Sequence, residues 1–154
     1  MPNKNDDSSD ILVGAWAKRC YLAARTTMED TLRPHGLGAT QWYVLYQLVH
    51  EGPTLQRDLQ QILRVERATL SDVVSRLARK GLVEQLPDQL DQRQRLLRLT
   101  TAGMRLWNTL PDLSLIEDLA FSGMDRADLA TAVRVLRSAT ERLEKPSSRE
   151  DQDR

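Results

Sequence analysis

Between Val65 and Thr101 the chain changes its hydrophobic period once, and that change limits the folds open to it. The first part, VERATLSDVVSRLARKG, places Leu70, Val73, Val74 and Leu77 at helical spacing, the stripe that a helix buries against a core. Gly81 then stops the helix. The second part, LVEQLPDQLDQRQRLLRLT, offers two short strands over residues 82–86 and 95–99, interrupted by Pro87-Asp88 and Asp91-Gln92. A helix followed directly by a β-ribbon needs other helices beneath it to cover the apolar stripe.

The remaining sequence supplies them. Asp10 is a candidate cap for a helix carrying Ile11, Leu12, Ala15, Trp16, Cys20, Ala23 and Ala24, which runs to about Leu32 or Arg33 before Pro34. His35-Gly36-Leu37-Gly38 reads as a turn. Thr40 is positioned to cap a second helix, closed by Gly52, and Thr54 a third, LQRDLQQIL. About three residues, Arg64-Val65-Glu66, separate that helix from the next. This is the helix–turn–helix spacing that delivers its second helix to a DNA major groove. Thr100 or Thr101 caps a fifth helix, Pro111 kinks or ends it, and Leu113 to Phe121 continues apolar. Asp125 caps a last helix with Leu129, Val133, Leu136, Thr140 and Leu143 at spacings of three and four. The expected architecture is mainly α with a small β-wing, in the order α-α-α-α-β-β-α-α. Residues 1–9 and 146–154 are expected as disordered tails, 37–100 as the central lobe, and 10–36 with 101–145 as long flanking helices that suit a dimer seam.

Composition excludes several classes. Charge is balanced, 22 basic against 22 acidic residues, so the whole chain carries no polyanion signature. Residues 52–100 hold nine basic and six acidic side chains, a mild local excess that favours an anionic partner. One cysteine, Cys20, permits no internal disulfide and no cysteine-cluster metal site. His35 and His50 have no ligand spacing, and no cofactor or metal is expected. The polar, acidic start MPNKNDDSSD is not a signal peptide and no apolar run reaches a membrane span, so a cytoplasmic location is expected. HExxH, phosphate-loop and GxSxG patterns are absent from the sequence, which argues against an enzyme.

Positive chemistry concentrates in the middle. Near the start of the second helix of a helix–turn–helix, side chains reach base edges. Here those are Arg67, Ala68, Thr69, Ser71, Asp72 and Ser75. Arginine can fork onto guanine, an alanine or threonine methyl can touch thymine, and a hydroxyl serves either partner. Arg76, Arg79 and Lys80 suit phosphates, and Arg57 adds a cation on the preceding helix. At the ribbon tip Arg93, then Arg95, are the side chains for a minor groove, with Asp91 two residues away to hold an arginine. The solvated face of any amphipathic helix would look similar. The three-residue turn before it and the ribbon after it set this helix apart.

Four stretches together resemble the MarR-type winged helix–turn–helix regulators: LRPHGLGATQWYVLYQL, LQRDLQQILRVERATLSDVVSRLARKGLVEQ, PDQLDQRQRLLRLTTAG with its Asp-x-Arg wing pattern, and the Pro-interrupted helix with SGMDRADLATAVRVLRS. The resemblance spans roughly residues 10–145. It implies a homodimer with interlocked terminal helices that binds a near-palindromic double-stranded DNA operator, usually as a repressor. Release by a small, often phenolic or carboxylate-bearing effector is also implied. Arg93 matches the wing arginine, Asp91 its acidic partner, and Arg76 a backbone-contacting position. Three residues depart from the pattern. Glu66 replaces the usual cap, Gln92 replaces a frequent arginine, and Asp72 sits in the reading face, where it either accepts from a cytosine amino group or pairs with Arg76. An effector cleft would draw on Trp16, Trp42, Tyr43, Tyr46 and Trp107, with Arg19 and His35 as polar anchors; the alternative is that these rings are core. One branch of the family senses hydroperoxides through a first-helix cysteine. Cys20 is on that helix, about one turn later than the branch pattern. A redox regulator, and a winged-helix protein-interaction module without DNA, are the competing readings.

Overall fold

The computed structural model describes residues 12–145. The expected tails and the Asp10 cap lie outside these residues. The chain divides into two compact units, one up to Ile116 and one from Glu117 onward.

The first unit begins with α1 (Val13–Leu32), whose N-cap is Leu12. It ends in a 3-10 turn, Arg33–His35, closed by Gly36 in the left-handed region at φ 70°. Helix α2 (Ala39–Glu51) begins one residue before the expected cap, with Gly38 at its N-cap. Thr40 lies inside it. The start is fixed from a distance, because Ala39 N donates to the Glu29 carboxylate on α1 at 3.0 Å and Gly38 N to Gln41 Oε1 at 3.2 Å. Arg25 donates to Thr40 Oγ1 at 3.0 Å, so α1 and α2 are held by one polar cluster.

Thr54 was expected to cap α3. Instead, Thr54–Leu55 form a two-residue strand, β1, and α3 (Gln56–Leu63) starts after Leu55 without a side-chain cap. A turn of Arg64, Val65 and Glu66, with Arg64 at φ 53°, leads into α4 (Arg67–Arg79). The ribbon is β2 (Val83–Pro87) and β3 (Arg95–Leu99). The sheet has three antiparallel strands in the order β1-β3-β2, not two, with Thr54 opposite Leu97 and Val83 opposite Leu99. Helix α5 (Thr101–Thr109) has the expected cap, Thr100 Oγ1 accepting from Gly103 N. Pro111 follows its end; it does not kink it.

The core of this unit is a single apolar cluster. Val44, Leu45 and Leu48 of α2, Leu59 of α3, Leu70, Val74 and Leu77 of α4, and Leu97 of β3 are all buried. The expected stripe on α4 is therefore the face it buries, and each such side chain contributes about 2 kcal/mol.

A further helix, α6 (Ser114–Phe121), stands where the sequence suggested only an apolar continuation. Asp112 accepts from Ser114 N at 2.9 Å at its start. In the second unit, α7 (Arg126–Glu144) has the expected cap, Asp125 accepting from Ala127 N and Asp128 N. None of α7's residues is buried, and its apolar Val133, Leu136 and Leu143 are exposed.

Candidate nucleic-acid interface

Helix α4 presents one face because the opposite face is committed. With Leu70, Val74 and Leu77 at 1% exposure or less, its rotation about its own axis is fixed by packing. That geometry leaves Arg67, Ala68, Thr69, Asp72, Ser75 and Arg76 exposed on the other side. Ser71 is half-buried at the edge of this face, where its hydroxyl accepts from Gln56 Nε2 at 3.3 Å. Gln56 Oε1 in turn accepts from Gln85 Nε2 at 3.0 Å. A chain of two amides thus links the β2 strand, the start of α3 and the reading face. Sequence reasoning missed both glutamines, because contacts 15 and 29 residues apart leave no local signal.

Asp72, the unusual acid of this face, lies 3.2 Å from Arg76 Nε. The expected pairing with Arg76 is thus present in the structure. Arg57 lies on α3, with Nε 3.7 Å from Asp58. Arg79 donates to the Ser75 carbonyl, and Lys80 to the Gly36 carbonyl.

At the tip of the ribbon, Asp88 N donates to Gln94 O, and Gln94 N to Asp91 O. The Asp91 carboxylate accepts from the Arg93 backbone N at 3.0 Å. Asp91 therefore shapes the turn and leaves the Arg93 guanidinium exposed. Arg95 is exposed at the start of β3, opposite Pro87. On the strand stem, Arg98 pairs across to Glu84.

The aromatic candidates divide into two groups. Trp42, Tyr43, Tyr46 and Trp107 do come together: Trp42 stacks on Tyr46 at 5.1 Å between centroids and meets Trp107 at 5.4 Å and Tyr43 at 5.2 Å. His50, not anticipated, joins them 4.2 Å from Tyr46. Its place two helical turns after Tyr43 could have suggested it. Trp16 and Arg19 form a separate cation–π pair on α1 at 5.0 Å. No ring contact among the described residues joins Trp16 to the cluster. Cys20 is exposed on α1, and His35 sits in the 3-10 turn. No group of three metal-ligating side chains occurs among the described residues, and no helix there is long and apolar enough to cross a membrane.

Comparison with known proteins places this arrangement. Residues 35–94 match the MarR family. The transcriptional activatory protein BadR of Rhodopseudomonas palustris is 32% identical over 97 residues, covering 60% of this chain and 54% of that protein. The chain thus spans about half the length of that relative. The HTH-type transcriptional repressor NicR of Pseudomonas putida is 25% identical over 126 residues, covering 81% of this chain and 80% of that protein. Among solved structures, BpsR of Bordetella bronchiseptica, whose DNA binding is regulated by 6-hydroxynicotinic acid, superposes with a TM-score of 0.73 at 26% identity, covering 83% of this chain and 98% of that one. Residues 35–94 thus carry the match to the MarR family, and the described fold is that of a winged-helix protein similar to BpsR.

Proposed function

We propose that this chain is a homodimeric, sequence-specific double-stranded DNA-binding transcriptional regulator, acting as a repressor that an aromatic carboxylate releases from a near-palindromic operator. The carrying observation is α4. Leu70, Val74 and Leu77 of its apolar face are buried and Val73 partly so, while Arg67, Ala68, Thr69, Asp72 and Ser75, with Ser71 half-buried at the edge, form a polar face beside an arginine-tipped wing. Residues 67–75 choose bases, and Arg76, Arg79, Lys80 and Arg93 supply phosphate and minor-groove affinity.

Dimerisation is supported by unpartnered apolar surface on the terminal helices. Leu12, Val13, Trp16 and Leu22 of the α1 segment are about half exposed or more, and Val133, Leu136 and Leu143 of α7's apolar stripe are exposed. A 19-residue helix gains most of its stability from packing such a stripe. The effector reading is supported by the rings of Trp42, Tyr46 and Trp107, which offer flat apolar contact, with His50 as a polar neighbour. It also draws on similarity to BpsR, regulated by a hydroxylated aromatic acid, and to the repressor NicR.

Selection of bound sequences from a random duplex pool tests the reading. A palindrome with half-sites about one helical turn apart is expected. On that duplex, Arg93→Ala is expected to lower the slope of log affinity against log salt by about 0.9, whereas Thr69→Ala changes which bases are preferred. Failure to enrich any sequence, and no duplex binding at low salt, would overturn the proposal.

A further inference from the structure

A concave site lies at the end of α4 opposite Arg67. It is an open cleft of about 680 Å³ with Arg33, Arg76, Arg79 and Lys80 around it and Gly36–Gly38 and Gln41 between them. Two helix C-termini meet here, and both are closed by the main chain in the same way. At the 3-10 turn, Gly36 N donates to Arg33 O and Leu37 N to Leu32 O; at α4, Gly81 N donates to Ala78 O and Leu82 N to Leu77 O. Gly36 and Gly81 take the left-handed conformation, φ 70° and 73°, that this closure needs. Basic side chains near a helix C-terminus ordinarily serve its free carbonyls. Here backbone N–H groups serve the Leu32, Arg33, Leu77 and Ala78 carbonyls. Among the described residues the Lys80 side chain reaches only the Gly36 main-chain carbonyl and that of Arg79 only the Ser75 carbonyl, so both keep further N–H donors for a ligand.

The charges around the cleft are unequal. Among the described residues no carboxylate lines it. Asp30 holds Arg33 at 2.8 Å and Asp72 holds Arg76 at 3.2 Å from its margins, both as exposed pairs of a kind worth about 0–1 kcal/mol. Among the described residues, Arg79 and Lys80 bond only to carbonyl and amide oxygens. Gln41 Oε1 accepts from Gly38 N and Lys80 Nζ, and the amino group of the same lining side chain is a donor in kind. Guanidinium and ammonium groups on two walls, with an amide between them, match the oxygens of a tetrahedral anion.

We propose that this cleft is an oxyanion site that seats a phosphate group, outside the base-reading face and the wing. The sequence put Arg76, Arg79 and Lys80 in a row on one helix. The fold brings Arg33 and the Gly36–Gln41 corner against them and makes the row concave. The phosphate is either one in the backbone of bound duplex, in which case the site rests on the proposed function and extends the footprint to the α1–α2 corner, or that of a free phosphorylated molecule.

Arg33→Ala and Asp30→Asn in the full chain test it. Arg33 is exposed, and among the described residues its side chain bonds to Asp30 alone, so both changes are expected to leave the fold intact; circular dichroism checks this. Duplex binding is measured across salt concentrations with Arg93→Ala alongside, and pyrophosphate binding is measured by calorimetry without DNA. A duplex phosphate predicts a slope reduced by about 0.9 in Arg33→Ala and tighter binding in Asp30→Asn. A free phosphate group predicts an unchanged slope, with pyrophosphate affinity about tenfold weaker in Arg33→Ala, the worth of one charged hydrogen bond. If neither quantity changes, the site is refuted, while Arg93→Ala decides the DNA reading separately. If no form binds duplex, the proposed function fails and the pyrophosphate result alone decides the cleft.

Discussion

Replacing Gly103 by alanine should destabilise the first unit, although alanine is the better helix former. Gly103 is in the first turn of α5 and is buried. A Cβ there would lie 2.2 Å from the Leu82 carbonyl oxygen and 2.7 Å from Leu99 Cδ1. Reaching even 3.0 Å from that oxygen requires a movement of 0.8 Å. The obstacle is main chain that is already engaged, since Leu82 O accepts from Thr100 N, and Thr100 Oγ1 donates to Gly81 O. Overpacking of this kind costs about 1–3 kcal/mol, here toward the upper end because backbone must move. The gain in helix propensity offsets about 1 kcal/mol. A net loss of about 2 kcal/mol is expected, which for a chain of this size lowers Tm by roughly 4–8 °C. Urea unfolding of wild type and Gly103→Ala measures it, with Ala102→Gly, on the exposed side of the same turn, calibrating the propensity term. Equal or greater stability of Gly103→Ala would refute the close approach of α5 to Leu82.

Other perturbations separate core from surface. Leu59→Ala removes a fully buried side chain of α3 and should cost about 2–5 kcal/mol in the same urea assay. Asp125→Ala removes the cap of α7 and should cost about 1 kcal/mol, read as lost helicity by circular dichroism. Asp112 has its pKa held below the usual 3.8, first by the backbone hydrogen bond from Ser114, then by that residue's side chain. A depressed carboxylate stabilises the folded state above the unfolded value and loses that contribution as pH falls through the folded one. Carboxyl NMR titration should therefore give a midpoint below 3.8 for Asp112, and Asp112→Asn should remove that part of the acid dependence of stability.

What the sequence disclosed was local. The stripe Leu70, Val73, Val74 and Leu77, the stops at Gly52 and Gly81 and the caps Thr100 and Asp125 need only a few neighbouring residues to act, and each works where the pattern placed it. The errors came where a distant partner overrode local chemistry. Thr40 has the right side chain for a cap, but Glu29 on α1 binds Ala39 N and starts α2 earlier. Thr54 looks like a cap as well, but pairing with Leu97 draws it into a strand. The candidate site follows the same rule. The exposed residues of α4 could be read from periodicity, whereas the Gln85–Gln56–Ser71 chain and the cleft beside Arg33 exist only after folding.

The ring cluster and the reading helix are joined through one piece of core. Trp42 projects from α2, which also contributes Val44, Leu45 and Leu48 to the cluster that receives Leu70, Val74 and Leu77 from α4. Trp107 on α5 packs on the same cluster. Because interiors this close-packed transmit displacement instead of absorbing it, a ligand that spread Trp42 from Trp107 would have to move α2, and α4 with it. The wing is tied in by a different route: β3 pairs with both β1 and β2, and Leu97 is fully buried. Its tip, by contrast, is closed by two backbone hydrogen bonds, Asp88 N to Gln94 O and Gln94 N to Asp91 O. Under the proposed function an effector at the rings would therefore act on base choice and half-site spacing through α4, and the minor-groove contribution of Arg93 would change only as far as the whole unit is carried away from the duplex.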